Sequence, residues 1–245
     1  MLGLTRSPRS PQALVTIITA LSLALVLLIT ALPVAPTTVA AEPSLSRWRG
    51  SVDLYRSGTY SMQQTWWWCV PANVQIMRNI ADGRTNHGRA QQRRFFTYMR
   101  KHDRYAIPVR HGVDPAGWTA GLRRFVDRRY ELVRRDSFKR ALRSAVRNLR
   151  RTNLPVSLAV ARGNHAWVLT GFTATADPAT NRRFKVTSVR VTGPLWGRQN
   201  RSYGYDMRPN TSLTRRQLKR FFTPWHYGPV RMAWEGEFVS IQPVP

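Results

Sequence analysis

The 245-residue chain contains a single cysteine, Cys69, so it cannot form a disulfide bond within itself. Secreted domains that depend on disulfides carry cysteines in pairs, and this shortage excludes a disulfide-stabilised scaffold. About 200 residues are enough for one domain that is stabilised by its hydrophobic core alone. The lone thiol is therefore either a small buried packing residue or a nucleophile.

Acidic residues are also scarce, at 12 against 39 lysines and arginines, which gives a formal net charge of +27. The arginines occur largely as scattered pairs, such as Arg93-Arg94 and Arg215-Arg216, and not as one basic tail. Such pairs are typical of a solvated helix face. A field of this sign also attracts anionic cell-wall polymers, lipid head groups or acidic substrates. No zinc-finger spacing or RNA-binding signature is present, so we expect no specific nucleic-acid partner.

The N-terminal 41 residues have the pattern of an export signal. Two arginines precede a charge-free, mostly apolar stretch from Ala13 to about Leu32, and the small residues Val39-Ala40-Ala41 follow. This order predicts a signal peptide that is cleaved after Ala41. The apolar stretch is about 20 residues long, enough to cross a bilayer, so an uncleaved membrane anchor is the alternative. In both cases we expect the rest of the chain outside the cytoplasmic membrane, with a net charge of +25 once residues 1–41 are removed.

The remainder is interpreted as one domain, residues 63–245, behind a linker or entry segment at residues 42–62. Apolar residues at helical spacing predict four successive helices. These helices are expected from Cys69 to Gly83, from about His87 to Arg104, from Asp114-Pro115 to about Arg128, and from Asp136 or Ser137 to Leu149.

Strand patterns come after the fourth helix. Strands are expected at residues 154–160, 165–172, 184–191 and 232–242, with a turn at residues 162–164 and a short helix at residues 214–222. Helices followed by an antiparallel sheet predict an α+β domain.

Cys69 has the surroundings that a catalytic thiol needs. Pro71 suits a first helical turn, which puts Cys69 at a helix N-terminus, where the helix dipole and a nearby imidazolium lower a thiol pKa below about 8.5. Of the five histidines, only His165 begins an otherwise apolar strand. The backbone N–H of Cys69 and the amide of Gln63 or Gln64 are candidate donors to an oxyanion. These residues form the candidate catalytic site, and a packing cysteine with an unrelated strand histidine is the alternative.

Together these motifs resemble the papain-like cysteine peptidases. The glutamine five or six residues before Cys69, the Cys-x-Pro-Ala start of a helix and the run His165-Ala-Trp-Val-Leu-Thr-Gly-Phe are most similar to the peptidase C-thirty-nine-like domains. Those domains are relatives of the bacteriocin-processing peptidases that cut after a double-glycine leader. The resemblance covers about Gln63 to Trp196 and implies a helical lobe packed on a sheet. It also implies Cys69 as nucleophile, His165 as general base and acid, and Gln63, by spacing, in the oxyanion hole.

Two positions depart from the family's pattern. Val70 follows the cysteine where the family often has glycine, and Gly193 stands before Pro194 where the family has an aspartate that orients the histidine. The candidates to replace this aspartate are Asp177, Thr192, Asn200 and Asp206.

The leading hypothesis is a secreted or membrane-anchored, thiol-dependent peptidase or amide hydrolase that acts on a peptide or related amide. One alternative is a weak or inactive peptidase-like module that binds anionic cell-envelope components, and another is a thiol transferase that passes an acyl group to an amine. The remaining histidines lack metal-ligand spacing, so we expect no metal and no other cofactor. The aromatic run Trp66–Trp68 either belongs to the core or lines a substrate cleft.

Overall fold

A computed structural model describes residues 47–198, 206–227 and 230–245. These residues form a mixed structure of helices and an antiparallel sheet, which confirms the α+β class. The predicted signal peptide or anchor at residues 1–41 lies outside the described residues. Within the described ranges, no helix has the length and apolar character needed to cross a membrane.

Five α-helices and seven strands are described. The helices are α1 (Cys69–Asp82), α2 (Arg89–Arg100), α3 (Pro115–Phe125), α4 (Phe138–Thr152) and α5 (Arg215–Phe221). The strands are β1 (Ser51–Asp53), β2 (Tyr130–Arg135), β3 (Val156–Val160), β4 (His165–Ala174), β5 (Val186–Thr192), β6 (Thr211–Thr214) and β7 (Phe238–Pro243). All pairs are antiparallel, the order is β2-β7-β3-β4-β5-β6, and β1 pairs with the distal part of β4.

Helices cover both faces of this sheet. Alternate residues of a strand point to opposite faces, and along β4 Val168 belongs to one core cluster while Trp167 belongs to the other. Ile76 of α1 packs in the first cluster together with buried residues of α2 and α3. Leu142 of α4 and Leu218 of α5 pack in the second. The first four helices therefore do not form one lobe.

The order of elements also differs from the expected four helices in front of the sheet. β2 lies between α3 and α4, and α3 ends at Phe125 instead of about Arg128. The β2 segment carries three charged residues and shows no alternation of apolar side chains, so its sequence gives little strand signal. It is stabilised by pairing along its whole length with β7, from Tyr130 opposite Pro243 to Arg135 opposite Phe238.

α1 is the helix that positions the candidate site. It begins at Cys69, as predicted, and ends before Gly83, whose left-handed conformation (φ 65°) is accessible to glycine at little cost. Most of its side chains are buried, and it packs directly on β4. A buried hydrogen bond of 2.6 Å from the Ser157 hydroxyl to the Asn73 Oδ1 fixes the helix to β3.

A strained turn connects β3 to β4 and leads directly into His165. Ala161, Arg162 and Gly163 all have positive φ, at 50°, 60° and 89°. A Cβ on Gly163 would lie 2.5 Å from the ring of Trp225, which is closer than side-chain atoms approach one another. Glycine at this position therefore adopts the positive φ at little cost and leaves room for the ring of Trp225.

Replacing Gly163 with alanine is expected to destabilise the protein, because alanine disfavours the positive φ and its Cβ would overlap the ring of Trp225. Gly50 is the matched control, because its φ is 87° and a Cβ there would meet nothing within 4 Å. We expect Gly50→Ala to lower the free energy of unfolding by about 1 kcal/mol, and Gly163→Ala by about 1–3 kcal/mol more. Urea denaturation of the three proteins measures the difference. Equal losses in the two variants would mean that Trp225 does not pack on Gly163.

Candidate active site

The packing of α1 on β4 brings Cys69 and His165 together. Cys69 is the first residue of α1 and is partly exposed, whereas His165 is the first residue of β4 and only 7% exposed. The thiol and the imidazole line one cleft, and Cys69 is among the groups that raise the pKa of His165. The fold therefore brings to one cleft the two residues that the sequence selected for nucleophile and base, although 96 positions separate them in the chain.

The ring of His165 has a carboxylate on its other side. Its Nε2 lies 3.0 Å from both carboxylate oxygens of Asp206, so Nδ1 is the ring nitrogen that remains for another partner. The carboxylate is buried and also accepts hydrogen bonds from the indole N–H of Trp167 and the backbone N–H of Leu195. Because several donors hold it, Asp206 has a defined position from which it orients the imidazole.

Asp206 occupies the space that a side chain at position 193 would fill. A Cβ on Gly193 would lie 2.3 Å from both Cγ and Oδ1 of Asp206. The carboxylate that was expected at position 193 is thus supplied by a residue that comes later in the chain. Glycine at 193 is what makes room for it.

The other candidates for the orienting group do different things. Asp177 forms an ion pair with Arg150 at 2.9 Å, and the Thr192 hydroxyl accepts a hydrogen bond from the backbone N–H of Asn210 at 3.0 Å. Asn200 lies outside the described residues. Of the candidates that the structure describes, only Asp206 contacts His165.

The surroundings of His165 favour its charged form. Burial by itself would lower the pKa of the imidazole, but the charge and hydrogen bond of Asp206, together with the contact to Cys69, raise this pKa to about 10. A histidine with such a pKa is protonated at neutral pH. The site therefore holds a proton that it can deliver to a leaving group.

This raised pKa makes the free energy of unfolding depend on pH. The folded-state pKa of about 10 exceeds the ordinary histidine value of 6.5, so folding binds a proton. The stabilisation that the protonated His165 provides is fully present below about pH 6.5 and is lost as the pH rises from there to about 10. We expect urea denaturation to show stability falling across this window in the native protein and a shallower fall in His165→Gln. Parallel curves for the two proteins would contradict the His165–Asp206 ion pair.

Gln63 and Gln64 lie on the segment that leads to Cys69, but neither lines the cleft. The side chain of Gln63 is fully buried, and its amide nitrogen donates to the backbone carbonyls of Thr65 and Trp66 at 2.8 and 3.1 Å. The amide of Gln64 donates to the carbonyl of Met62 at 3.3 Å. Gln63 therefore holds the turn in front of Cys69, and the oxyanion role of either glutamine stays a prediction.

The Cys69 N–H is the donor that the fold itself provides for an oxyanion. Cys69 is the first residue of α1, and the first N–H groups of a helix have no acceptor within the helix. The positive end of the helix dipole lies at the same place. Negative charge that develops on a carbonyl oxygen beside Sγ would be stabilised there.

The cleft around Cys69 and His165 has a volume of about 250 Å³ and largely aromatic walls. Trp66 and Trp67 of the predicted aromatic run line it and are 43% and 37% exposed, whereas Trp68 is buried in the core. The described lining residues include Arg110 and no acidic side chain. The aromatic run therefore contributes to both the cleft and the core, and the cleft suits a planar or apolar group that carries no positive charge.

No group of three or more His, Cys, Asp or Glu side chains among the described residues could hold a metal ion. Comparisons of the chain with protein-family models, with curated proteins and with solved structures gave no match. The family resemblance of the motifs stays a prediction, and the site is interpreted through its geometry.

Proposed function

We propose that the chain is a thiol-dependent peptidase or amide hydrolase that acts outside the cytoplasm, with a papain-like arrangement of its catalytic residues. The observation that carries this proposal is the imidazole of His165, which shares a cleft with the thiol of Cys69 and is hydrogen-bonded to the carboxylate of Asp206. A nucleophile, a base within hydrogen-bond reach and a third group that orients the base are the recurring parts of nucleophilic catalysis.

Acylation uses the proton that the imidazole holds. The Cys69 Sγ attacks the substrate carbonyl carbon as a thiolate, and the carbonyl electron pair moves to oxygen, where the Cys69 N–H and the helix dipole stabilise it. The His165 Nδ1–H then protonates the leaving amine as the C–N bond breaks. The products are a thioester on Cys69, a free amine and a neutral imidazole.

Deacylation follows the same path with water as the nucleophile. Neutral His165 accepts a proton from a water molecule, and the resulting hydroxide equivalent attacks the thioester carbon. The C–S bond breaks, the acid product leaves, and the Cys69 thiolate and the His165 imidazolium are regenerated. An amine in place of water would give transfer instead of hydrolysis, so product analysis with added amine distinguishes the two reactions.

The inactive binding module loses its main support in this geometry. It was motivated by a glycine at the position of the orienting aspartate, and Asp206 places a carboxylate in that space. The excess of positive charge is compatible with either function and does not separate them.

Alkylation of Cys69 tests the proposal directly, because the chain contains no other thiol. At about pH 6 a free thiol reacts slowly, whereas catalytic cysteines that work with a histidine are alkylated quickly. We expect iodoacetamide to modify the folded protein at least tenfold faster than the same chain in denaturing urea with matched reagent. His165→Gln should remove most of this excess. Equal rates for the folded and unfolded chain would rule out an activated nucleophile.

A further inference from the structure

A second concave surface lies between α2 and α3, apart from the cleft that holds Cys69. This surface, the basic groove, has a volume of about 710 Å³. Its cationic lining residues are Arg89, Arg93, Arg94, Lys101 and Arg124. No described residue of its lining is acidic, so all the charged residues that line the groove are cationic.

These cations are not neutralised by carboxylates of the described chain. Elsewhere in that part of the chain arginines pair with acids, as Arg100 does with Asp103 at 2.7 Å and Arg140 with Asp136 at 2.6 Å. None of the five groove cations has a carboxylate within ion-pair distance among the described residues. Like charges that converge without counter-charges attract an anionic ligand.

The length of the groove indicates an extended ligand. Arg89, Arg93 and Lys101 follow one another at intervals of four and eight residues along α2 and its C-terminal cap, so Arg89 and Lys101 are twelve residues apart. Twelve residues correspond to about 18 Å along a helix axis. A single phosphate cannot contact cations distributed over this distance, whereas a polymer with repeating phosphates can.

The aromatic residues of the groove offer little to nucleic-acid bases. Tyr98 stacks on His102 with ring centroids 4.3 Å apart, and Phe125 packs against Phe95 at 4.4 Å, with the guanidinium of Arg94 over its ring. Proteins that bind single strands usually stack bases on available aromatic rings. The groove also lacks the Asn and Gln side chains that read adenine edges.

We propose that the basic groove binds a linear phosphodiester polymer without bases, of the polyol-phosphate kind. Guanidinium groups suit phosphate because their donors match its oxygens. The polymer would hold the protein at an anionic envelope surface while the cleft stays accessible. This inference does not depend on the hydrolase activity, since binding is measured without substrate.

The test compares two triple variants that remove the same charge. Arg93→Ala/Arg94→Ala/Arg124→Ala removes groove cations, and Arg215→Ala/Arg216→Ala/Arg220→Ala removes exposed arginines of α5, which packs on the opposite face of the sheet. Binding of poly(glycerol phosphate) is measured as a Kd over a range of salt concentrations. An unchanged midpoint of urea denaturation shows that each variant is folded.

We expect the groove variant to bind the polymer at least tenfold more weakly. The slope of log K against log salt should fall in magnitude by about 2–3. The α5 variant should stay within about threefold of the native Kd. Equal losses in the two variants would overturn the proposal in favour of nonspecific charge. So would tighter binding to a single-stranded oligonucleotide of equal phosphate count, to anionic vesicles or to inorganic phosphate alone.

Discussion

Replacing Cys69 with alanine is expected to abolish amide hydrolysis, with kcat falling by about 10⁴- to 10⁶-fold to the background rate. The loss is this large because the thiol forms the covalent intermediate, and removal of a nucleophile from a catalytic triad leaves only the stabilisation that the rest of the site provides. The fold should persist, since a partly exposed thiol adds little buried surface at the helix N-terminus. Amide cleavage by purified protein, measured together with urea denaturation, separates the chemical effect from a loss of folded protein.

Cys69→Ser is the matched control for this prediction. It keeps a hydroxyl in the geometry of the thiol, but a hydroxyl is far less acidic and gives little nucleophile beside an imidazolium. We expect it to be nearly as inactive as Cys69→Ala. Its affinity for the uncleaved substrate should still be measurable by equilibrium binding. Retention of more than about a tenth of the native kcat in Cys69→Ala would refute the assigned nucleophile.

Replacing Asp206 with asparagine is expected to lower kcat by about 10²- to 10⁴-fold, with a smaller change in KM. Asparagine keeps the size of the side chain but removes the charge that holds His165 as an imidazolium and fixes its ring through Nε2. The amide of asparagine also places an N–H group against the N–H donors that the carboxylate accepts from, which costs about 1–3 kcal/mol of stability. The kinetics are therefore compared at a temperature at which both proteins are folded.

Moving the carboxylate from position 206 to position 193 tests whether the two positions share one space. Gly193→Asp alone should lose activity and stability, because its Cβ would lie 2.3 Å from the Asp206 carboxylate. The double variant Gly193→Asp/Asp206→Ala removes this overlap and provides a new carboxylate behind His165. We expect it to be at least tenfold more active than Asp206→Ala alone. Additive losses in the double variant would contradict the shared space.

Local signals were sufficient to predict the elements that carry Cys69 and His165. Pro71 in a first helical turn and Gly83 at the helix end are direct backbone constraints, so the bounds of α1 were predicted well. The apolar run after the turn at residues 162–164 likewise predicted β4 with His165 at its start. Each of these signals acts within a few residues of the feature that it determines.

The features that escaped prediction depend on partners far away in the chain. β2 lies in an arginine-rich stretch and is a strand because β7 pairs with it. The glutamine amides are used by neighbouring backbone carbonyls, which spacing alone does not reveal. Asp206 was one of four candidates because only the folded chain shows which carboxylate lies against Gly193. A glycine at an expected acidic position, with an unassigned aspartate downstream, was the available signal.

The close approach of Asp206 to Gly193 limits where an acidic residue can stand behind His165. Carboxylates at both positions would overlap, so one chain uses one arrangement or the other. A search for an acidic residue at position 193 of the sequence would therefore miss the carboxylate that lies beside His165. The groups of such a site are better identified by their positions in the folded structure, because a different part of the chain can contribute the acid.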